Sequence, residues 1–230
     1  AVRHLRNEGA KLYMILANFP NQQSPEQVNL VKCRQELPAL DIQLNYPIQL
    51  LQVQNQQVVD AILTEVTDKH LEDAKTLWEP LLGGSGEDDE YWNWVNKSRR
   101  AKLLPGDELY AIECEGITQG LMMLDVLKKR CQIEFQLRRR LVYISALATA
   151  PWNRPAIANP PIYKGVGGNL VDFAIARSQE LGYQGRIGLH ALSGALGFYR
   201  KLRIGLLDCG FDPEEPDRLV YFETLRIDEI

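Results

Sequence analysis

Long apolar runs are missing from these 230 residues. No stretch approaches the roughly 20 apolar residues needed to cross a bilayer, so no membrane partner is expected. Nothing of the form of a secretory signal opens at Ala1-Val2-Arg3-His4, and the cytoplasm is the expected compartment. Cysteine is scarce too: Cys33, Cys114, Cys131 and Cys209 are widely scattered, with no Cys-x-x-Cys and no paired histidines nearby. That spacing builds no zinc site, so no metal is expected, and Cys114, within a strand-like run, reads as a small core residue. An excess of positive charge is also lacking, the net charge being -4. A generic nucleic-acid binder is disfavoured, because such affinity comes from neutralising phosphates. The basic clusters Lys128-Lys129-Arg130 and Arg138-Arg139-Arg140 read as the solvated rim of a turn between two strands.

What is present is an ordinary globular composition, 45% hydrophobic and 24% charged, in a chain long enough to bury a sizeable core. Residues 1–48 read as an N-terminal extension of unknown role, with helices expected over His4 to Phe19 and from Ser24, where Pro25 and Gln27 complete a capping pattern. Such an arm would pack on the main domain or on a second copy, as in a homodimer. Residues 49–230 read as the main domain. Val58 to Val66 is β-branched and strand-like, and Thr67-Asp68 then caps a helix striped by Leu71, Ala74, Leu77 and Trp78. Glu87-Asp88-Asp89-Glu90 reads as the acidic start of a further helix, complementing its dipole. Strands follow at Leu109–Glu115, Leu121–Val126 and Leu141–Ala148, stopped by Pro151. Then come a helix from Asn169 to Leu181 capped by Gly182, a strand at Arg186–His190, a helix at Gly194–Leu202 and a closing strand at Leu219–Leu225. The order is mixed α/β, with only part of the sheet parallel.

The chemistry concentrates at Lys164-Gly165-Val166-Gly167-Gly168. A glycine-rich turn running straight into a helix converges backbone N–H groups and a helix dipole on one point, which suits a phosphate. Glycines serve where the chain takes positive φ or an anion must approach the backbone. Neither a Walker lysine followed by Ser or Thr, nor Gly-x-Gly-x-x-Gly with a downstream acid, occurs here.

Ala148-Thr149-Ala150-Pro151-Trp152-Asn153-Arg154 followed by Tyr163-Lys164-Gly165-Val166-Gly167-Gly168-Asn169-Leu170 resembles the strand and pyrophosphate loop of GNAT-superfamily N-acetyltransferases. Gly165 and Gly167 match the two small positions of the family's Gln/Arg-x-x-Gly-x-Gly/Ala signature, while Ile162 stands at its first position. Gly197-Phe198-Tyr199-Arg200-Lys201-Leu202 is similar to the family's tyrosine-bearing helix, although Arg203-Ile204 replaces the usual Gly-Phe and Leu192 stands where many members carry Asn. The resemblance spans about residues 56–225. It implies an α/β fold with a mixed, splayed central sheet flanked by helices, and acetyl-CoA as co-substrate.

By that resemblance Ala146, Leu147 and Ala148 pair with the pantetheine, while Lys164, Gly165, Val166, Gly167, Gly168 and Asn169 hold the pyrophosphate. An amine, on a small molecule or a protein, attacks the thioester through a tetrahedral intermediate whose oxyanion meets the Leu147 N–H, and Tyr199 acts as general acid. For the base, Glu113 and Glu115 are named on one face of a strand; Tyr143, Ser145 and His190 are alternatives. Two other readings remain: a noncatalytic acyl-CoA-binding scaffold, and a toxin-like acetyltransferase acting on aminoacyl-tRNA, which would need a continuous basic surface.

Overall fold

The computed structural model describes residues 45–226, apart from 203, 216 and 218. The chain divides between Asp41 and Ile42, and the described residues all fall in the second unit, Ile42–Ile230. The helices expected before residue 40 lie outside the described residues, as does Cys33.

The second unit is a nine-stranded open sheet among the described residues. Its strands are β1 (Asn45–Gln52), β2 (Gln57–Glu65), β3 (Asp107–Cys114), β4 (Ile117–Asp125), β5 (Val142–Thr149), β6 (Tyr163–Lys164), β7 (Ile187–Ala191), β8 (Leu206–Phe211) and β9 (Val220–Thr224). They lie in the order β6-β1-β2-β3-β4-β5-β7-β9-β8. Only β5 and β7 run parallel; the other pairs are antiparallel. The mixed α/β sheet expected from the order of elements is therefore present.

Alternation along the central strands feeds two cores. Ile112 and Met122 join Leu63, Ile144, Leu170 and Phe222 on one face, whereas their neighbours Ala111 and Leu121 join Trp78, Trp94, Ala146 and Ala148 on the other. A strand buried on both faces reads as an unbroken apolar run, which is why β4 carries Leu121-Met122-Met123-Leu124. Cys114 is buried in the first core, as its setting in the sequence suggested.

The first core is covered by the long helix that leaves the glycine loop (Val166–Glu180). The second lies under three short helices: α1 (Asp68–Asp73), α2 (Glu79–Leu82), joined to α1 by a wider π-type turn at Ala74–Trp78, and α3 (Trp94–Ala101). The glycine-loop helix is α4, and a one-turn helix, α5 (Leu196–Tyr199), follows β7.

Three strands were not foreseen, β1, β8 and the two-residue β6. β1 contains Pro47, which cannot donate to a ladder, and it is tolerated because β6 covers only Leu51 and Gln52 of that edge. Its first residues, Asn45 to Ile48, belong to the segment taken above as extension. β8 carries Gly210 at φ 82° and a register break, so no alternation marks it. The helix expected over Gly194–Leu202 is shorter, a 3-10 turn at Ser193–Ala195 followed by α5.

α4 approaches the sheet closely at Gly120, where a β-carbon would stand 2.7 Å from Val166 Cγ1 and 3.1 Å from Leu170 Cδ1. Both partners are buried, at 2% and 0% exposed, so neither has room to yield. Gly120→Ala is expected to destabilise the domain by about 1–3 kcal/mol through overpacking, read as a lower urea midpoint.

Candidate active site

β5 and β7 form a fork. They pair only over Val142–Ile144 and Ile187–Leu189, so from Ser145 to Thr149 the β7-facing edge of β5 has no strand partner among the described residues. The cause is local: Ile144 pairs with Leu124 and Ala146 with Met123, which leaves Ser145 as an extra residue. A bulge bends its strand, and here it turns β5 away from β7. Ala146, Leu147 and Ala148 all lie on the unpaired stretch.

The glycine loop sits at the open end. Gly165 caps α4 in the left-handed region, φ 97°, which only glycine adopts cheaply. The first intrahelical bond runs from the Asn169 N–H to the Gly165 carbonyl, 2.9 Å, so the N–H groups of Val166, Gly167 and Gly168 are first-turn donors without an i−4 acceptor. Gly167 is buried, with the Phe198 ring 3.0 Å from where its β-carbon would be, while nothing stands within 4 Å of that position at Gly168. The loop thus packs against α5 through Gly167 and opens outward at Gly168. Lys164 is exposed. Asn169 is otherwise engaged: its side-chain amide donates to the carbonyls of Gly165 (3.0 Å) and Gln49 (3.2 Å), tying the loop to β1.

Tyr199 is next to Phe198 on α5 and 6% exposed, its ring against Phe198 and Phe222. Burial, with a further push from the nearby Tyr143, raises its phenol above the usual tyrosine range, so it remains a proton donor at neutral pH. Glu113 and Glu115 are elsewhere. Glu113 lies in β3 and Glu115 just after it, with β4 between β3 and the fork. Glu113 accepts from Lys69 at 2.9 Å, and Glu115, in the hairpin at φ 52°, accepts from the Tyr163 hydroxyl at 3.0 Å. The structure brings the glycine loop, the open edge of β5 and Tyr199 together, and it does not bring these two carboxylates to them.

A polar cluster at the base of the fork joins residues remote in sequence. The Tyr143 hydroxyl lies 2.7 Å from His190 Nδ1, and His190 Nε2 lies 2.9 Å from Asp212 Oδ2. Asp212 also accepts from Gln132 (3.2 Å) and from the Glu214 amide (2.9 Å). The Glu214 amide first, then His190, hold its carboxyl below the usual range, while burial opposes them. Burial and then Glu215 push the Tyr143 phenol up to about 12, against a lowering by the His190 backbone amide. Gly188, paired with Tyr143, leaves room for Tyr221, whose hydroxyl stands 2.7 Å from where a β-carbon would be. Beneath this, the fully buried Glu223 accepts from the Gln132 amide (2.6 Å), Gln136 (2.5 Å) and Tyr221 (2.5 Å). Tyr143 and His190 were visible as separate candidates. Asp212 was not, because 22 residues separate it from His190 and no local pattern connects them.

The acidic run has a different role from the one its sequence suggested. Glu87 to Glu90 form a turn, and α3 begins later, capped by Asn93, whose side chain accepts from the Asn96 N–H at 2.8 Å. Asp89 instead holds Arg154 by two bonds, 2.6 and 2.8 Å, and Arg154 also donates to the Thr149 carbonyl at the end of β5. Asp88 accepts from Ser193 (3.0 Å) and the Gly194 amide (2.8 Å) after β7. One acidic turn therefore grips the segments beyond both prongs of the fork. Arg154→Ala leaves the buried Asp89 without its bidentate partner, an expected loss of about 3 kcal/mol in chemical unfolding.

The basic rim is largely committed to local partners. Lys128 pairs with Asp107 (2.6 Å), Arg130 donates to the Leu127 and Lys129 carbonyls, and Arg140 donates to the Tyr183 hydroxyl. A cavity of about 650 Å³ lined by Arg139, Arg140, Leu181, Gly182, Tyr183 and Arg186 adjoins the C-terminal end of α4, opposite the end that carries the glycine loop. Among the described residues no group of His, Cys, Asp and Glu could hold a metal ion, and no helix is long and apolar enough to cross a membrane.

No protein-family model and no curated protein matches the chain. Solved structures do. The solved structures it matches include N-acetyltransferases of the GNAT superfamily. The ribosomal-protein-S18-alanine N-acetyltransferase from Escherichia coli is 10% identical with a TM-score of 0.46, the match covering 74% of this chain and 98% of that one. Ard1 from Thermoplasma volcanium is 15% identical with a TM-score of 0.45, over 72% and 99% of the two chains. The PaiA N-acetyltransferase from Thermoplasma acidophilum, in complex with coenzyme A, is 12% identical with a TM-score of 0.44, over 71% and 98%.

Proposed function

We propose that the chain transfers an acetyl group from acetyl-CoA to a primary amine. The observation that carries this reading is the fork: among the described residues, a β5 edge without a strand partner, a helix N-terminus whose first-turn amides have no acceptor, one open glycine, and a buried tyrosine on the neighbouring turn. The residues fit the co-substrate. The first-turn amides of Val166, Gly167 and Gly168 would hold its pyrophosphate, with Gly165 shaping the turn and exposed Lys164 adding charge nearby. The unpaired Ala146–Ala148 backbone would bond the pantetheine amides as a strand would. When bound, acetyl-CoA supplies an activated thioester.

The protein's own contribution is orientation and proton management. The Leu147 N–H is the candidate donor for charge developing on the carbonyl oxygen. Tyr199, protonated at neutral pH, is suited to give its proton to the departing thiolate. Glu113 and Glu115 remain candidate bases only through solvent, since Lys69 and Tyr163 occupy them. The test is calorimetric titration of acetyl-CoA, followed by a thiol-release assay with a panel of amines. Binding with amine-dependent release supports the reading, and absence of binding to the folded protein refutes it.

A further inference from the structure

We infer that Tyr143, His190 and Asp212 form a proton relay that accepts the proton from the attacking amine, with Tyr143 the group that touches the amine. This rests on the acetyltransferase reading and supplies the base it lacks.

The argument starts from Asp212. An ionised carboxylate only accepts, so the 2.9 Å contact places the ring proton of neutral His190 on Nε2. Nδ1 is then a bare lone pair, and the Tyr143 hydroxyl, 2.7 Å away, must donate to it. With its proton directed to Nδ1 and one lone pair facing the His190 backbone amide, the Tyr143 oxygen has one lone pair left for an incoming N–H. Tyr143 pairs with Gly188 one residue before β5 and β7 part, which places the relay at the base of the fork.

The step balances. As the amine nitrogen bonds to the thioester carbonyl carbon, an N–H bond breaks and an O–H bond forms on Tyr143. The original Tyr143 O–H breaks and an N–H forms on His190 Nδ1. The imidazolium charge is met by Asp212, and the thiolate leaves with the Tyr199 proton. Tyr143 never becomes a free phenolate, while Tyr199, left as a phenolate, regains a proton and the His190 imidazolium releases one through solvent before the next turnover. The other charged or titratable groups around the relay are Lys129, 5.0 Å over the Tyr143 ring, Glu215 and Asp125 acting on its phenol, and Tyr221, its ring 5.0 Å from His190. His190 and Asp212 side chains are 4% and 9% exposed, so bulk solvent does not readily substitute for them.

Two measurements test it. Long-range nitrogen NMR of the neutral protein, which has three histidines, is expected to show His190 as the Nε2–H tautomer. The Nδ1–H tautomer, with Tyr143 accepting, overturns the relay whatever the activity. Transfer from acetyl-CoA to spermidine, 2-phenylethylamine and a lysine-containing peptide is then compared in wild type and Tyr143→Phe. The expected result is a kcat about 10²-fold lower with acetyl-CoA affinity unchanged and the melting temperature modestly lowered, because buried His190 Nδ1 loses its donor. The acid limb of the rate profile should also move upward toward the amine's own titration, because solvent must now take the proton. Unchanged kcat and profile overturn the relay while the acetyltransferase reading stands. A wild type that binds no acetyl-CoA, or acetylates none of the three, overturns that reading, and the relay with it.

Discussion

Gly168→Glu is expected to abolish acetyl-CoA binding while leaving the fold at least as stable as before. Gly168 is the third residue of α4, with no positive φ and nothing within 4 Å of its missing β-carbon. Replacing a helical glycine there should cost nothing and gain up to about 1 kcal/mol of backbone entropy. A carboxylate in the first turn also complements the helix dipole. The same carboxylate fills the opening and places a negative charge where the pyrophosphate would lie. Affinity should fall at least about 100-fold, since the anion site loses both its space and the sign of its field. Calorimetry reads the binding and thermal unfolding the stability. Gly168→Ala is the control, and it should bind nearly as wild type. Substitution at Gly165 would be a poor substitute, because its φ of 97° makes any side chain strained and confuses lost binding with lost structure.

Tyr199→Phe is expected to lower kcat by about 10²–10³-fold with little change in acetyl-CoA affinity. Only an oxygen is removed, and the ring keeps its contacts with Phe198 and Phe222. The hydroxyl makes no hydrogen bond among the described residues, so its loss should leave the melting temperature unchanged. A stopped rate with intact binding and fold assigns the oxygen to the leaving-group step. A parallel loss of affinity would assign Tyr199 to holding the co-substrate.

How much of this was legible depends on how local each cause is. The glycine loop and α4 follow from neighbours in sequence, through apolar residues at helical spacing after Gly165 and Gly182 beyond the end, and they were readable. The central strands were readable for the same reason. The fork was expected only through the family resemblance, because its cause is a register shift: one extra residue at Ser145 against Met123 and Leu124, which composition does not display. β1 was hidden by Pro47, a residue that argues against a strand unless the edge is known to be open. The acidic turn was misread because four carboxylates before an aromatic helix have the composition of a helix start. Their true partners, Arg154, Ser193 and Gly194, lie 65 to 106 residues away. The relay is the extreme case, its three members coming from β5, β7 and the turn after β8.

The most direct test of the central claim is to follow backbone amide shifts while acetyl-CoA is added to the isotopically labelled protein. The account predicts that the largest changes fall in two groups at once, Val166 to Gly168 at the start of α4 and Ala146 to Ala148 on the open edge of β5. No shifts, or shifts centred instead on the cavity lined by Arg139, Arg140 and Tyr183, would contradict it.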